Sequence, residues 1–379
     1  MQRLQDLPTP CLVLDEHRMQ RNIDRMDARA KQLGVPLRPH LKTPKSVDVA
    51  RRMVKNHNAG VTVSTLREAE HFADHGLTDI FYAVPLAPDK VPRVAALHRR
   101  GVDLSCATHS LAAVEVLAAR AAAEGIVLPL LIDVDIDHYR SGVEVDDPEF
   151  LALARAVDAA PSLALRGIMI YAGASYECTS TQLMGDYAAR IVEGGQRAKA
   201  ALASHGLPCD VVSYGSSPGT YFARSLEGVT ESRAGVYVFQ DLYQAGIGAC
   251  EISDIAVWVT ATVTGHKAAQ NRLIIDAGGL ALSKDVSTRG KAFDAGYGLV
   301  CDIESGTVIP DLYVSSTSQE VALVTTRSGA PVPLQRFPVG TKLRVLPNHS
   351  CFTAAAHDQY HVVQGGDEVV ARWARVNGW

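Results

Sequence analysis

Lys42 stands in Leu37-Arg-Pro-His-Leu-Lys-Thr-Pro-Lys45, an apolar stretch that runs into a proline turn and then a helical pattern. A lysine ending a strand in an enclosed mouth loses hydration, which favours the free amine, the form that condenses with a carbonyl. Lys42 is therefore the candidate for a covalent cofactor link. A second group is the turn Tyr214-Gly-Ser-Ser217, followed by Pro-Gly-Thr220, where a strand gives way to a helix. Backbone N–H groups of Gly215, Ser216 and Ser217, with two hydroxyls, suit an anion there. Arg140, in Asp137-His-Tyr-Arg-Ser-Gly142, offers a guanidinium to a phenolate oxygen or a carboxylate, with pairing to Glu144 as its plainer alternative.

His349 and Cys351 form a third group. One residue separates them, so in an extended segment both side chains leave the same face and reach one ion. A thiolate with an imidazole favours zinc, while manganese or magnesium suits a site completed by water. Two protein ligands leave open positions, which a catalytic metal needs and which would take a substrate β-hydroxyl. On the motif alone, a core cysteine beside an incidental histidine is the simpler reading.

The elements that must hold these groups follow a regular pattern. Apolar strands are expected near Leu37–Lys42, Gly60–Ser64, Ile80–Val84, Asp103–Cys106, Leu128–Val134, Leu165–Tyr171, Asp210–Tyr214 and Val236–Gln240, with alanine-rich helices between most of them. Eight such units indicate a closed (β/α)8 barrel of the TIM type, in which functional groups sit where strands end. An open doubly wound sheet is disfavoured because no GxGxxG opens the first helix. The strand endings include Lys42, Asp135, Asp137, His138, Arg140, Tyr171, Ser175, Tyr214, Asp241 and Tyr243. A lysine on one side of the mouth and a phosphate cradle opposite are the two anchors of pyridoxal 5'-phosphate. Beyond Gly248 the pattern turns to strands and short turns without long helices. The expected domains are a barrel over 16–245 and a mainly antiparallel β domain, 1–15 plus 246–379, carrying the metal site.

Composition limits the partners. The 379 residues are 47% hydrophobic and 21% charged, with a formal net charge of −4, so a basic nucleic-acid surface is not expected. The N-terminal Met1-Gln-Arg-Leu-Gln-Asp has no apolar core of a signal sequence, and no apolar run spans a membrane, so a cytoplasmic protein is expected. Seven cysteines without a CxxC pair argue against a disulfide framework.

Thr9-Pro-Cys-Leu-Val-Leu-Asp15, Arg38-Pro-His-Leu-Lys-Thr-Pro-Lys45, Arg140-Ser-Gly142, Tyr214-Gly-Ser-Ser217, Asp276-Ala-Gly278 and Pro347-Asn-His-Ser-Cys351 span nearly the whole chain. Together they resemble the fold-type III pyridoxal phosphate enzymes with the alanine racemase-like barrel, and within them the D-threonine aldolase and D-serine dehydratase group. The resemblance implies that Lys42 is the Schiff-base lysine, that Gly215, Ser216 and Ser217 lie at the cofactor phosphate, and that His349 and Cys351 bind a divalent metal. Tyr171, Tyr214 and Arg140 join the expected cofactor-binding set, and His349 joins Lys42 as catalytic. Two places depart from the group's pattern, Asp137 and the Tyr171–Ala174 loop, and both bear on substrate choice.

The expected activity is retro-aldol cleavage of D-β-hydroxy amino acids, D-threonine giving glycine and acetaldehyde. The alternative is a D-serine or D-threonine dehydratase giving a 2-keto acid and ammonia, or a D-amino-acid racemase, which the metal pair argues against. Relatives imply a homodimer acting on a small amino-acid substrate, with neither nucleic acid nor membrane as partner.

Overall fold

Strand β1, Cys11–Asp15, leads into a helix, Glu16–Gln32, and then into parallel strands alternating with helices. These strands are β2 (Val61–Val63), β3 (Asp79–Pro85), β4 (Asp103–Thr108), β5 (Leu128–Asp135), a two-residue β6 (Val143–Glu144), β7 (Leu163–Tyr171), β8 (Val211–Gly215) and β9 (Glu231–Arg233). The computed structural model describes residues 2–56, 60–138, 140–291 and 294–379. Two compact units divide the chain: Arg25–Gly235 with Val376–Trp379, and Met1–Asp24 with Val236–Arg375. The sequence places the divisions at 16 and 245; these units instead divide after Asp24, inside the helix Glu16–Gln32, and after Gly235.

In the first unit the strand order is β2-β3-β4-β5-β7-β8-β9, each adjacent pair parallel, with β6 alongside β5. Closure runs through residues that form no regular strand. Leu37 bridges Ser232 and His40 bridges Thr62, both in parallel sense. Backbone N–H groups of Arg38, His40 and Leu41 donate to Ser232, Ala234 and Thr62, each at 2.8 Å, so the barrel is closed.

Both sides of this seam differ from the sequence expectation. Leu37–Lys42 is not a continuous strand, because Pro39 has no N–H to give to a ladder and Lys42 already lies in the turn that follows. Val236–Val238 is a 3-10 turn, and the eighth stave is Glu231–Arg233. Glu231, Ser232 and Arg233 carry no apolar pattern, yet all are buried, because Arg38 Nε pairs with Glu231 at 2.6 Å and Arg233 donates to the Ser213 carbonyl at 2.6 Å. Apolar periodicity is blind to a strand buried by charge pairing.

The second unit adds β10 (Val257–Lys267), β11 (Arg272–Ile275), β12 (Leu299–Asp302), β13 (Val308–Thr317), β14 (Ala322–Thr326), β15 (Lys342–Leu346), β16 (Gln359–Val363) and β17 (Ala371–Ala374). The order β11-β14-β13-β12-β15-β10 closes on itself through β10–β11, and β1, β16 and β17 extend it from β10. A register shift between Val263 and Gly265 lets β10 turn from β15 towards β11. The pairings are antiparallel except β1 with β16. Leu4, Val13, Leu242, Ile255, Trp258, Cys301 and Leu346 pack as one core cluster, and the Arg344 guanidinium lies 4.4 Å from the Trp258 ring.

Candidate active site

Lys42 sits between Leu41 and Lys45, whose N–H donates to the Leu41 carbonyl at 2.9 Å and closes a tight turn. Lys45 takes a left-handed backbone (φ 46°), and its ammonium meets the buried Glu68 carboxylate at 3.0 Å. Glu68 also accepts the Ser64 N–H at 2.9 Å, which ties the turn to the end of β2. Lys42 itself is half-buried. Beside it, burial and the charges of Lys42, Arg233 and Arg140 push His40 well below the usual imidazole range, so a neutral ring faces the lysine turn.

The turn after β8 is bare by necessity. A side chain at Gly215 would come 2.9 Å from Arg233 Nη2 and 3.4 Å from the Tyr171 ring. One at Gly219 would lie 2.2 Å from the Tyr214 hydroxyl, which is buried with no hydrogen-bond partner among the described residues. Ser216 accepts the Gly219 N–H at 3.0 Å and its hydroxyl is 3.1 Å from that of Ser175. The Ser217 hydroxyl accepts from Gly235 N–H at 3.3 Å. Arg233, lowered by burial to about 10, stays protonated behind the turn. An orphaned hydroxyl, a turn kept clear of side chains at Gly215 and Gly219 and fixed positive charge fit an anionic phosphate, and the lysine fits the aldehyde of the same cofactor.

Arg140 lies over Tyr171, its guanidinium carbon 4.5 Å from the ring centroid. Its expected alternative partner, Glu144, meets His138 instead at 3.2 Å. Burial raises the pKa of Asp133, which accepts the Ser141 hydroxyl at 2.8 Å with Arg140, Arg233 and His109 nearby. Sequence reasoning missed Asp133 and His109, since an acid inside an apolar strand and a histidine after β4 carry no motif.

The metal-binding candidates belong to the second unit. The Asp241 side chain accepts Ser350 N–H at 3.1 Å, and Leu242 and Tyr243 N–H donate to Pro347 and Asn348 carbonyls at 3.0 and 3.2 Å. On the other side Thr288 donates to the buried Asn348 at 2.8 Å, and Asn348 donates to the Asp285 carbonyl at 3.1 Å. His349 caps the helix Ser350–Ala355, so Cys351 lies in a first helical turn and not in the expected extended segment. The cap still sets both side chains close: burial works against the imidazolium, but the Cys351 thiolate, Asp285 and Asp241 outweigh it and push His349 up to about 11. Asp285 Oδ2 stands 3.6 Å from His349 Nδ1. That much negative charge gathered on one imidazole fits a divalent cation in place of its proton. Among the described residues no third ligand completes a cluster, which leaves the remaining positions to water or substrate. Asp285 has no sequence signal, being far from the motif along the chain.

A parallel barrel that carries both a lysine turn and an anion cradle, joined in one chain to an antiparallel sheet, defines a class: the alanine racemase-like, fold-type III pyridoxal phosphate enzymes. The chain belongs to that family, residues 14–242 matching the alanine racemase N-terminal domain and residues 256–363 the putative serine dehydratase domain. It is 44% identical to D-threo-3-hydroxyaspartate dehydratase of Delftia sp. (strain HT23), over 98% of both chains. It is 29% identical to D-serine dehydratase of Dictyostelium discoideum (99% of this chain, 98% of that one) and 27% identical to D-threonine aldolase of an Arthrobacter species (94% and 89%). The solved structure of the Delftia enzyme superposes with a TM-score of 0.96 at 43% identity, covering all of both chains. A cysteine-to-alanine mutant of D-threo-3-hydroxyaspartate dehydratase, solved in a metal-free form, matches at the same score and identity over all of both chains.

Proposed function

We propose that the chain is a pyridoxal phosphate- and divalent-metal-dependent dehydratase of D-β-hydroxy amino acids, releasing a 2-keto acid and ammonia. The observation that carries the reading is the His349–Cys351 pair with Asp285 and Asp241 gathered on it, in a chain whose 44% relative is a dehydratase. Retro-aldol cleavage, the first expectation from sequence, yields to it: the aldolase relative is more distant, at 27% identity.

Lys42, Tyr214, Gly215, Ser216 and Ser217 would hold the cofactor, and His349 with Cys351 the metal. When bound, the cofactor draws electrons from the substrate Cα and the metal stabilises a departing hydroxide. The chain's own part is to move protons and fix orientation. Lys42 removes the α-proton at Nζ, and that proton leaves with the β-hydroxyl as water. Arg140 over Tyr171 orients the cofactor's phenolate side or the substrate carboxylate. The neutral His40 adds no positive charge of its own beside the lysine. The proposal includes a homodimer: Leu280 and Phe352, 54% and 56% exposed, are the apolar surface it would cover, which sedimentation would check.

The test is to incubate the purified enzyme with D-serine, D-threonine and D-threo-3-hydroxyaspartate, with and without EDTA. Keto acid and ammonia, lost on chelation and restored by manganese, magnesium or zinc, are expected. Glycine and an aldehyde as the main products would return the aldolase reading to first place.

A further inference from the structure

Two histidines lie one turn apart at the end of a barrel helix, in the first unit. The helix Leu66–Asp74 starts at Thr65, whose hydroxyl accepts the Glu68 N–H at 3.0 Å, and stops at His75, with Gly76 in left-handed backbone (φ 88°). The N–H groups of His75, Gly76 and Leu77 donate to the Phe72, Ala73 and Phe72 carbonyls at 3.1, 3.0 and 3.0 Å, so the last turn closes on itself. His71 and His75 are four residues apart, which puts both side chains on one face. Their ring centroids lie 4.6 Å apart, with the planes at 51°.

The His75 ring is fixed in orientation. Its Nδ1 lies 2.7 Å from the His71 carbonyl, which can only accept, so Nδ1 carries the hydrogen and the neutral ring keeps its lone pair at Nε2. One ring nitrogen tied to a carbonyl while the other stays open is the arrangement of a metal-bound imidazole. His71 packs edge-on to the buried Phe72 at 5.5 Å, and burial with the charges of His75 and Arg67, opposed by Asp74, lowers its pKa, so this ring is neutral near neutral pH. Among the described residues neither His75 Nε2 nor the His71 ring has a hydrogen-bond partner. Two imidazoles that share one ion, each nitrogen about 2.1 Å from it, bring their ring centroids to roughly 5 Å, close to the spacing here. The helix C-terminus adds its negative pole. His205 shows the same cap without a second ring: its Nδ1 is 2.9 Å from the carbonyl of Ala201, and the residue four back is that alanine.

We propose that His71 and His75 form a divalent-cation site of their own, separate in chain and chemistry from the His349–Cys351 pair, for an ion that prefers imidazole: nickel(II), copper(II) or zinc. His75 Nε2 and one nitrogen of His71 are the protein ligands. No third His, Cys, Asp or Glu joins them among the described residues, so water fills the other positions and the site is weaker than one holding a thiolate. The bound ion staples the last helical turn. The inference does not depend on the dehydratase reading.

Nickel would be titrated by calorimetry into the cofactor-loaded protein carrying His349→Ala and Cys351→Ala, which removes the other pair. One nickel per chain is expected, bound roughly 10–100-fold more weakly after His71→Gln or His75→Gln, because each substitution leaves a single imidazole in place of two held at high effective concentration. His205→Gln, at the cap with no second ring, should change nothing. Hydrogen exchange would be followed in the same samples: nickel should slow the amides of His75, Gly76 and Leu77, and fail to do so after His71→Gln. His75 is exposed, so His75→Gln decides the matter if His71→Gln does not fold. Absence of nickel binding, binding that survives both substitutions, binding that His205→Gln weakens equally, or binding that leaves the three amides unprotected would each overturn the site.

Discussion

Lys42 sits in a turn closed by Lys45 and anchored through Glu68, so its position does not depend on what it binds. Lys42→Ala is expected to abolish the visible absorbance of bound cofactor and all turnover while the melting temperature of the apoprotein stays within about 1 °C. Absorbance that persists, with borohydride trapping on another lysine, would relocate the site. His349→Ala and Cys351→Ala should behave differently, cutting turnover by orders of magnitude with cofactor absorbance retained; loss of absorbance together with activity would make the ion structural. At this scale the sequence was informative where chemistry has a local signature. Lys42 is flanked by prolines, and His349 and Cys351 are one residue apart. It was silent on Asp285, which meets His349 only because a distant loop folds back, and on His40, whose neutrality comes from burial and from the charges of Lys42, Arg233 and Arg140.

Between β8 and the short helix Ser217–Phe222, the chain turns with no room for a side chain at Gly215. Gly215→Val should weaken cofactor retention on dialysis at least tenfold at a folding cost of about 1–3 kcal/mol, because Arg233 is pinned by its own hydrogen bonds and cannot swing clear. Unchanged cofactor affinity would remove this turn from the site. The neighbouring stave makes a separate prediction. Arg38 is held by Glu231 at 2.6 Å and by Asp79 at 2.7 Å, with Glu231 the more buried partner. Glu231→Ala should destabilise the protein by about 3 kcal/mol, measured by denaturant unfolding, since a buried guanidinium loses its better counter-ion. That same pairing is why β9 escaped the sequence reading while the apolar strands β3, β5 and β7 were legible within a residue or two of their ends.

Across the whole chain, each unit depends on residues remote in sequence. β1 comes from the N-terminus, yet it lies between β10 and β16 in the second sheet, in register Val13–Trp258 on one side and Val13–His361 on the other. Deleting residues 2–15 should therefore cost the β16–β17 pair its attachment and yield insoluble or strongly destabilised protein, whereas trimming the exposed Trp379 should leave the melting temperature unchanged. The barrel has its own discontinuity at the Leu37–Leu41 seam, where two isolated bridges do the work that long ladders do elsewhere. In hydrogen-exchange terms, the amides of Arg38, His40, Leu41 and Thr62 are a latch of separate bonds, while those of β5 and β7 share a seven-pair ladder. Deuterium should enter the seam first. The stave that leads into Lys42 is then also the one along which the barrel breathes, giving a ring-shaped fold a preferred place to part without unfolding the rest.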